Sequence, residues 1–401
     1  MGKSKNVFLG LAIITSILSF SVNSSISGIC KYAMYLFWAI VAYMLLKDGN
    51  LKTNEYIKKI AFTWAFWFIS AKVFCFFDFY PSSGAGVASF LLFCSVFYFI
   101  GYNWELNGKT TIFLIAIACL IGQIILMFTQ FATLSDNTEY YLNGEKNQMG
   151  QMIGIGIILE VFILPYFLKK TVLRVACYII GAVSLYTLMA IHSRTPLIAI
   201  SIAAVLYFYN KKKVKRDYII AIVIVIVLIL TINYMGGVNY LIELFELEDT
   251  SISSIGSYDG INGLLSGRLD NYKIALNDFI HSPLIGVGAY AYIDNFVFNV
   301  LRTGGLVSAF MLFPIAYGTI RRCSKNSKEF LQREDEQPQE KVLLFTILRY
   351  LSIFYFVVSL FEGYPPFGPG ASTFFFWLII GMGDKAVEDE KILIDSGGKN
   401  A

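Results

Sequence analysis

The chain has 401 residues, 56% of them hydrophobic and only 15% charged, with a mean hydropathy of +0.62. Soluble domains carry about a quarter charged residues, so this composition excludes an ordinary soluble enzyme or nucleic-acid-binding module and indicates an integral membrane protein. The net charge of +4 then reports topology, because lysine and arginine collect on the cytoplasmic side of membrane spans.

A helix needs about 20 mainly apolar residues to cross the hydrocarbon core. In chain order, spans are expected at 7–22, 29–46, 60–79, 86–102, 111–131, 150–168, 172–191, 195–210, 218–234, 296–320, 342–361 and 367–383. This is an all-α polytopic protein of about 12 transmembrane helices in a single membrane domain, 1–401. Lys3 and Lys5 before an apolar stretch, with small residues near Asn23-Ser24, resemble a signal peptide. Cleavage would leave eleven spans and break the agreement of the basic clusters with both termini, so a retained first helix is expected. The clusters are Lys47, Lys52, Lys58 and Lys59; Lys169, Lys170 and Arg174; the run Lys211, Lys212, Lys213, Lys215 and Arg216; and Arg321, Arg322, Lys325 and Lys328. With twelve spans all four fall on one side together with both termini, which places the termini in the cytoplasm.

The first five spans carry no motif. Before the sixth, Lys146-Asn147 sits in a polar entry segment that is either an ordinary loop or a lip for a sugar. Between the seventh and eighth spans comes His192-Ser193-Arg194-Thr195-Pro196. A guanidinium at the lipid edge either snorkels or holds an anion, and taken alone Arg194 is explained by snorkelling.

Residues 235–295 are the one long polar island, an extracytoplasmic loop with eight acids against Arg268 and Lys273. Within it, 266–281 is expected to be an amphipathic helix with an apolar stripe of Leu269, Tyr272, Ala275, Leu276, Phe279 and Ile280, capped by Ser266 and stopped by Pro283. Arg268 in its first turn opposes the helix dipole and becomes favourable when an anion lies between it and the free N–H groups. His281 closes that helix as a surface polar group or C-terminal cap, with a general base as its functional alternative. The run Ser282-Pro283-Leu284-Ile285-Gly286-Val287-Gly288 follows, and Asp294-Asn295 opens the tenth span. Asp294 alone reads as a helix cap; functionally it is a carboxylate to orient or deprotonate a hydroxyl. Arg302 lies about 9 Å inside that span, where charges face a bundle interior or a watery cavity. Segment 321–341 is expected to be a flexible cytoplasmic loop, Glu362 ends the eleventh span before a proline- and glycine-rich turn, and 384–401 is a polar, poorly ordered cytoplasmic tail. Six scattered cysteines without a CxxC pair and only two histidines indicate neither a disulfide framework nor a metal site.

Lys146-Asn147, Ser193-Arg194-Thr195, Gly267-Arg268, the Pro283–Gly288 run and Asp294-Asn295, in this order and topology, resemble the O-antigen polymerase and O-antigen ligase superfamily. The resemblance covers the second half best. It implies a metal-independent, cofactor-free glycosyltransferase of a bacterial plasma membrane, acting on undecaprenyl-pyrophosphate-linked glycans of an O-antigen, capsule or exopolysaccharide pathway. It assigns Arg194 and Arg268 to the pyrophosphate, and Arg302, by its depth in the span, joins them as a third cation. Lys146, Asn147 and Asn295 fall to the glycan, and Asp294, Glu362 and His281 are the candidate acid–base groups. Ligases of the family carry His-Asn where this chain has Asp294-Asn295, which favours a repeat-unit polymerase over a ligase. The expected partners are the lipid-linked glycans and the bilayer, with no nucleic acid; a chain-length regulator is left open. The competing class is a flippase or exporter of lipid-linked glycans, against which stand the absence of related halves and the crowding of polar groups at the outer face.

Overall fold

A computed structural model of the chain describes residues 2–21, 23–49, 51–63, 65, 84–105, 111–131, 146–191, 193–210, 268–287, 293–333, 337–363 and 371–397. Every regular element among them is helical, as apolar surroundings require: with no water to bond exposed N–H and C=O groups, a helix pairs them internally. In chain order the helices are α1 (Gly2–Leu18), α2 (Ser24–Asp48), α3 (Gly84–Asn103), α4 (Thr111–Phe131), α5 (Lys146–Ile157), α6 (Thr171–Ala190), α7 (Arg194–Asn210), α8 (Arg268–His281), α9 (Phe296–Leu331), α10 (Gln339–Ser359) and α11 (Ala371–Gly397). Residues 55–63 are also helical. α5 continues as a π-helical turn at Ile158–Ile163 and a short helix at Leu164–Phe167.

Among the described residues, six helices are long and apolar enough to cross a membrane, and two shorter apolar ones, Ser4–Leu18 and Thr195–Tyr207, accompany them. The chain is therefore a multi-pass membrane protein. The expected span 218–234 and the basic run 211–217 lie outside the described residues, as do most of 60–79 and of the island 235–295.

α10 is the centre of the bundle. It is buried along nearly its whole length and packs against α4, α7, α9 and α11. α3 and α11 approach most closely: a Cβ on Gly101 would lie 2.0 Å from the Leu378 carbonyl oxygen, and one on Gly381 would lie 2.2 Å from that of Tyr98. Small residues at such a crossing let two backbones touch, the usual basis of helix association in lipid.

Two expectations are corrected at the end of the bundle expected to face the cytoplasm. The segment 321–341 is no flexible loop through most of its length, because α9 runs on to Leu331 and α10 starts at Gln339. Nor is 384–401 a poorly ordered tail as far as it is described, since α11 continues to Gly397. The reason is pairing that composition does not reveal. Arg322 forms an ion pair with Asp384 at 2.8 Å and lies 3.7 Å over the Tyr56 ring, while the Tyr98 hydroxyl donates to Asp384 at 2.6 Å. Tyr102 donates to Glu388, Arg333 pairs with Glu390 at 3.1 Å, and Lys5 pairs with Asp48. The polar face of α11 is thus spent on neighbouring helices.

Candidate functional site

At the opposite end of the bundle, two groups of sequence-predicted residues gather on either side of α10. In the first, Lys146-Asn147 starts α5 and Arg194 is the first residue of α7. Close packing joins these helix starts. A Cβ on Gly150 would lie 2.3 Å from Ser193 Oγ and 3.3 Å from Pro196, and one on Gly154 would lie 2.9 Å from the Phe354 ring of α10. Ser193 and Thr195, on both sides of Arg194, are buried, and Ser193 Oγ has no partner among the described residues. His192 lies outside the described residues.

The second group is organised by a break in α9. At Gly305 the backbone leaves the helix with φ 60° and ψ −157°. A continuous helix would send the Leu306 N–H to the Arg302 carbonyl and the Val307 N–H to that of Thr303. Instead Leu306 donates to Pro283 at 2.8 Å and Val307 to Leu284 at 3.2 Å, while the Arg302 carbonyl accepts the Val287 N–H at 2.8 Å. The Ser282–Val287 run is therefore a strap that completes the broken helix from outside. It holds its own shape through Ser282, whose hydroxyl donates to the Gly286 carbonyl at 2.8 Å and whose carbonyl accepts the Gly286 N–H at 2.9 Å. Gly286 takes φ 68°, and a Cβ there would sit 2.5 Å from the Arg302 carbonyl oxygen, so glycine alone fits. Irregular backbone at membrane depth needs replacement hydrogen bonds, and here the strap supplies them to Leu306, Val307 and Arg302.

α8 spans Arg268–His281, with Arg268 as its first residue; the expected cap Ser266 lies outside the described residues. α8 docks on α9 through Tyr272, stacked on Phe298 with centroids 4.7 Å apart, and through buried Ala275. The expected stripe is narrower than its composition suggested, since Leu276 and Ile280 are exposed. Asp278 of α8 pairs with Arg302 at 2.6 Å. Arg302 is thus held in place by a carboxylate from α8. His281 Nδ1 lies 2.8 Å from the Asn277 carbonyl oxygen at the exposed end of α8.

The start of α9 also differs from the expected cap. Asn295, not Asp294, caps the helix, its Oδ1 accepting the Phe298 N–H at 3.1 Å. The Asn295 amide donates to the Leu360 carbonyl at 2.9 Å and buried Asn299 donates to that of Gly363 at 3.1 Å. Asn299 Oδ1 accepts the Ile293 N–H at 3.1 Å. These bonds bring buried Glu362 to the corner that carries Asp294. Asn299 and Asp278 escaped the sequence reading, although Asn299 follows Asn295 by one helical turn on the same face. Among the described residues no group of three or more His, Cys, Asp or Glu is placed to hold a metal ion.

The Arg302–Asp278 pair makes a stability prediction. Asp278→Asn and Arg302→Met should each cost about 2 kcal/mol, the usual worth of a hydrogen bond to a charged group, and the double variant less than their sum. Thermal unfolding of the four proteins in detergent measures this; strictly additive losses would show that the pair does not couple α8 to α9.

Residues 178–313, about a third of the chain, match the family described as O-Antigen ligase. The match runs from α6 through the strap to the middle of α9 and includes Arg194, Arg268, Asp294 and Arg302. It bears out the resemblance to the O-antigen polymerase and ligase superfamily and supports glycan-transferring activity of that kind. No curated protein matches the chain.

Proposed function

We propose that this chain, whose central segment is that of the O-antigen polymerase and ligase superfamily, joins undecaprenyl-pyrophosphate-linked oligosaccharide repeat units on the outer face of a bacterial plasma membrane. The observation that carries the reading is that Arg194 and Arg268, both inside the matched segment, are the first residues of their helices. An arginine at a helix N-terminus opposes the dipole by about 0.3–1 kcal/mol. An anion between guanidinium and free N–H groups reverses that sign, and a pyrophosphate is such an anion.

The step is an inverting glycosyl transfer. A sugar hydroxyl of one lipid-linked repeat unit attacks the anomeric carbon of the growing chain from the face opposite its pyrophosphate. The new C–O bond forms as the bond to pyrophosphate breaks, and undecaprenyl pyrophosphate leaves with the electron pair. Asp294 takes the hydroxyl proton, with Glu362 beside it and His281 as the more remote candidate. Arg194 and Arg268 neutralise the departing charge, the electrostatic contribution that is often the largest in catalysis. Lys146, Asn147 and Asn295 contact the glycan. Arg302, balanced by Asp278, serves this site by fixing α8 and hence Arg268.

The match to an O-antigen ligase family favours a second reading, transfer of a finished glycan to another acceptor. The lipid-linked glycans of cells lacking the gene separate the possibilities. Single repeat units accumulating outside, with no polymer, are the expected result. Full-length polymer left on its lipid carrier would make the protein a ligase. Single units retained on the cytoplasmic face would make it a flippase and end the catalytic assignment.

A further inference from the structure

Deep among the spans, away from both groups above, three polar side chains meet where α4, α5 and α6 pack together. Gln123 of α4, Glu160 of the π-helical turn and Ser184 of α6 are each fully buried. The Gln123 amide donates to Ser184 Oγ at 3.0 Å, and Ser184 Oγ donates to Glu160 Oε2 at 2.9 Å. The packing is built around them. A Cβ on Gly156 would fall 1.4 Å from Gln123 Oε1, and one on Gly181 would fall 2.5 Å from Val161 Cγ2 and 3.6 Å from Glu160 Oε2. The π turn widens α5 here, and such turns recur where a helix carries a functional side chain.

Two oxygens in this cluster lack a partner among the described residues: Glu160 Oε1 and Gln123 Oε1. Both belong to one side of α5, because Gln123 Oε1 lies against Gly156, one helical turn before Glu160. The titratable groups that feel the carboxyl's charge are the buried thiols Cys119 and Cys177, and α7 and α10 add Tyr207 and Tyr350 around the π turn. No cationic side chain among the described residues acts on Glu160. An ionised carboxylate in this setting would be a buried charge without a counter-ion, a cost of several kcal/mol. A carboxylic acid brings one donor and keeps its acceptor, so a single proton satisfies both orphaned oxygens.

We propose that Glu160 is a proton-binding site within the membrane core, its Oε1–H donated to Gln123 Oε1, making Gln123, Ser184 and Glu160 an uncharged hydrogen-bonded clamp across α4, α5 and α6. This stands on the packing of the spans and is independent of the glycan-transfer reading. Gln123 accepts the proton's hydrogen bond and donates to Ser184, whose hydroxyl oxygen lies 2.9 Å from both the acid's other oxygen and the Ile180 carbonyl and whose single proton in the clamp goes to the acid, so the ring closes.

Infrared spectroscopy of the purified protein in lipid nanodiscs at neutral pH tests this. Subtracting the Glu160→Gln spectrum from the wild type should leave a protonated-carboxyl C=O stretch that the variant has lost. Gln123→Leu should keep that band and move it to higher frequency, since the acid loses its acceptor. No band in the first difference would mean an ionised carboxylate held by Ser184 and a reversed Gln123 amide, and would overturn the proposal; an unmoved band in Gln123→Leu would overturn the shared proton. Should Glu160→Gln fail to insert, Ser184→Ala leaves the acid intact while removing one donor to its carbonyl oxygen, and the same band must move upward. A spectrum unchanged by Ser184→Ala would equally overturn the clamp.

Discussion

Arg268→Ala is expected to abolish polymer while leaving the protein inserted in the membrane. Arg268 is the first residue of α8, and α8 is anchored elsewhere: by Tyr272 on Phe298, by buried Ala275 and by the Asp278–Arg302 pair. Truncating the guanidinium therefore leaves the helix docked and removes the charge proposed to neutralise the leaving pyrophosphate. Loss of one preorganised group that stabilises developing charge costs roughly 10²–10³ in rate, or about 3–4 kcal/mol. Arg268→Lys should rescue poorly, because a lysine is a point charge and cannot grip two phosphate oxygens through a planar fork. Lys273→Ala is the control: Lys273 is exposed and paired with Asp270 on the same helix, so polymer should be normal. Complementing a deletion strain and comparing polymer with the membrane level of each variant measures all three. Normal-length polymer from Arg268→Ala would remove the pyrophosphate assignment.

Gly305→Ala should have the larger effect on folding, a loss of about 4 kcal/mol. The φ of 60° with ψ near −157° at Gly305 is a region that residues with a Cβ avoid, worth about 1–3 kcal/mol alone. The added Cβ would also stand 2.5 Å from the carbonyl carbon and oxygen of Leu284 and 2.7 Å from the Ile285 nitrogen. Backbone cannot yield as a flexible side chain can, so the strap must withdraw and surrender its bonds to Arg302, Leu306 and Val307, each worth about 1 kcal/mol. Gly318→Ala, in the same helix with nothing within 4 Å of where the new methyl would stand, should be neutral or gain up to about 1 kcal/mol of helix propensity. Thermal unfolding in detergent and the fraction of monodisperse protein give the comparison. Equal stability of the two variants would show that α9 tolerates closing its break.

Hydropathy revealed the spans because the membrane imposes one length and one kind of surface, and the helices described here lie where it placed them. It could not reveal the break in α9. Gly304-Gly305 sits inside an apolar run, and the groups that pair with the freed backbone lie some twenty residues upstream. The helical continuation of α11 was hidden for a related reason: Asp384, Glu388 and Glu390 look like a solvated tail until Arg322, Tyr98, Tyr102 and Arg333 are brought to them. In the candidate site, Arg302 was legible as a cation too deep to be idle, whereas its partner was not. Asp278 shares an amphipathic face with Asn271 and Asn277, and only docking of α8 distinguishes it from them.

The strap also bears on how the protein is made. Residues 282–287 leave the ribosome before 302–307, so the donors and acceptors that the break needs are already outside the exit tunnel when the break itself emerges. A helix entering lipid with an interrupted ladder would otherwise expose bare amides to hydrocarbon. Here its complement arrives first and remains tethered by a short stretch of chain, which keeps the two at high local concentration during insertion. Reversing that order, for instance by circular permutation between α8 and α9, would leave the half-built span waiting for a segment not yet synthesised.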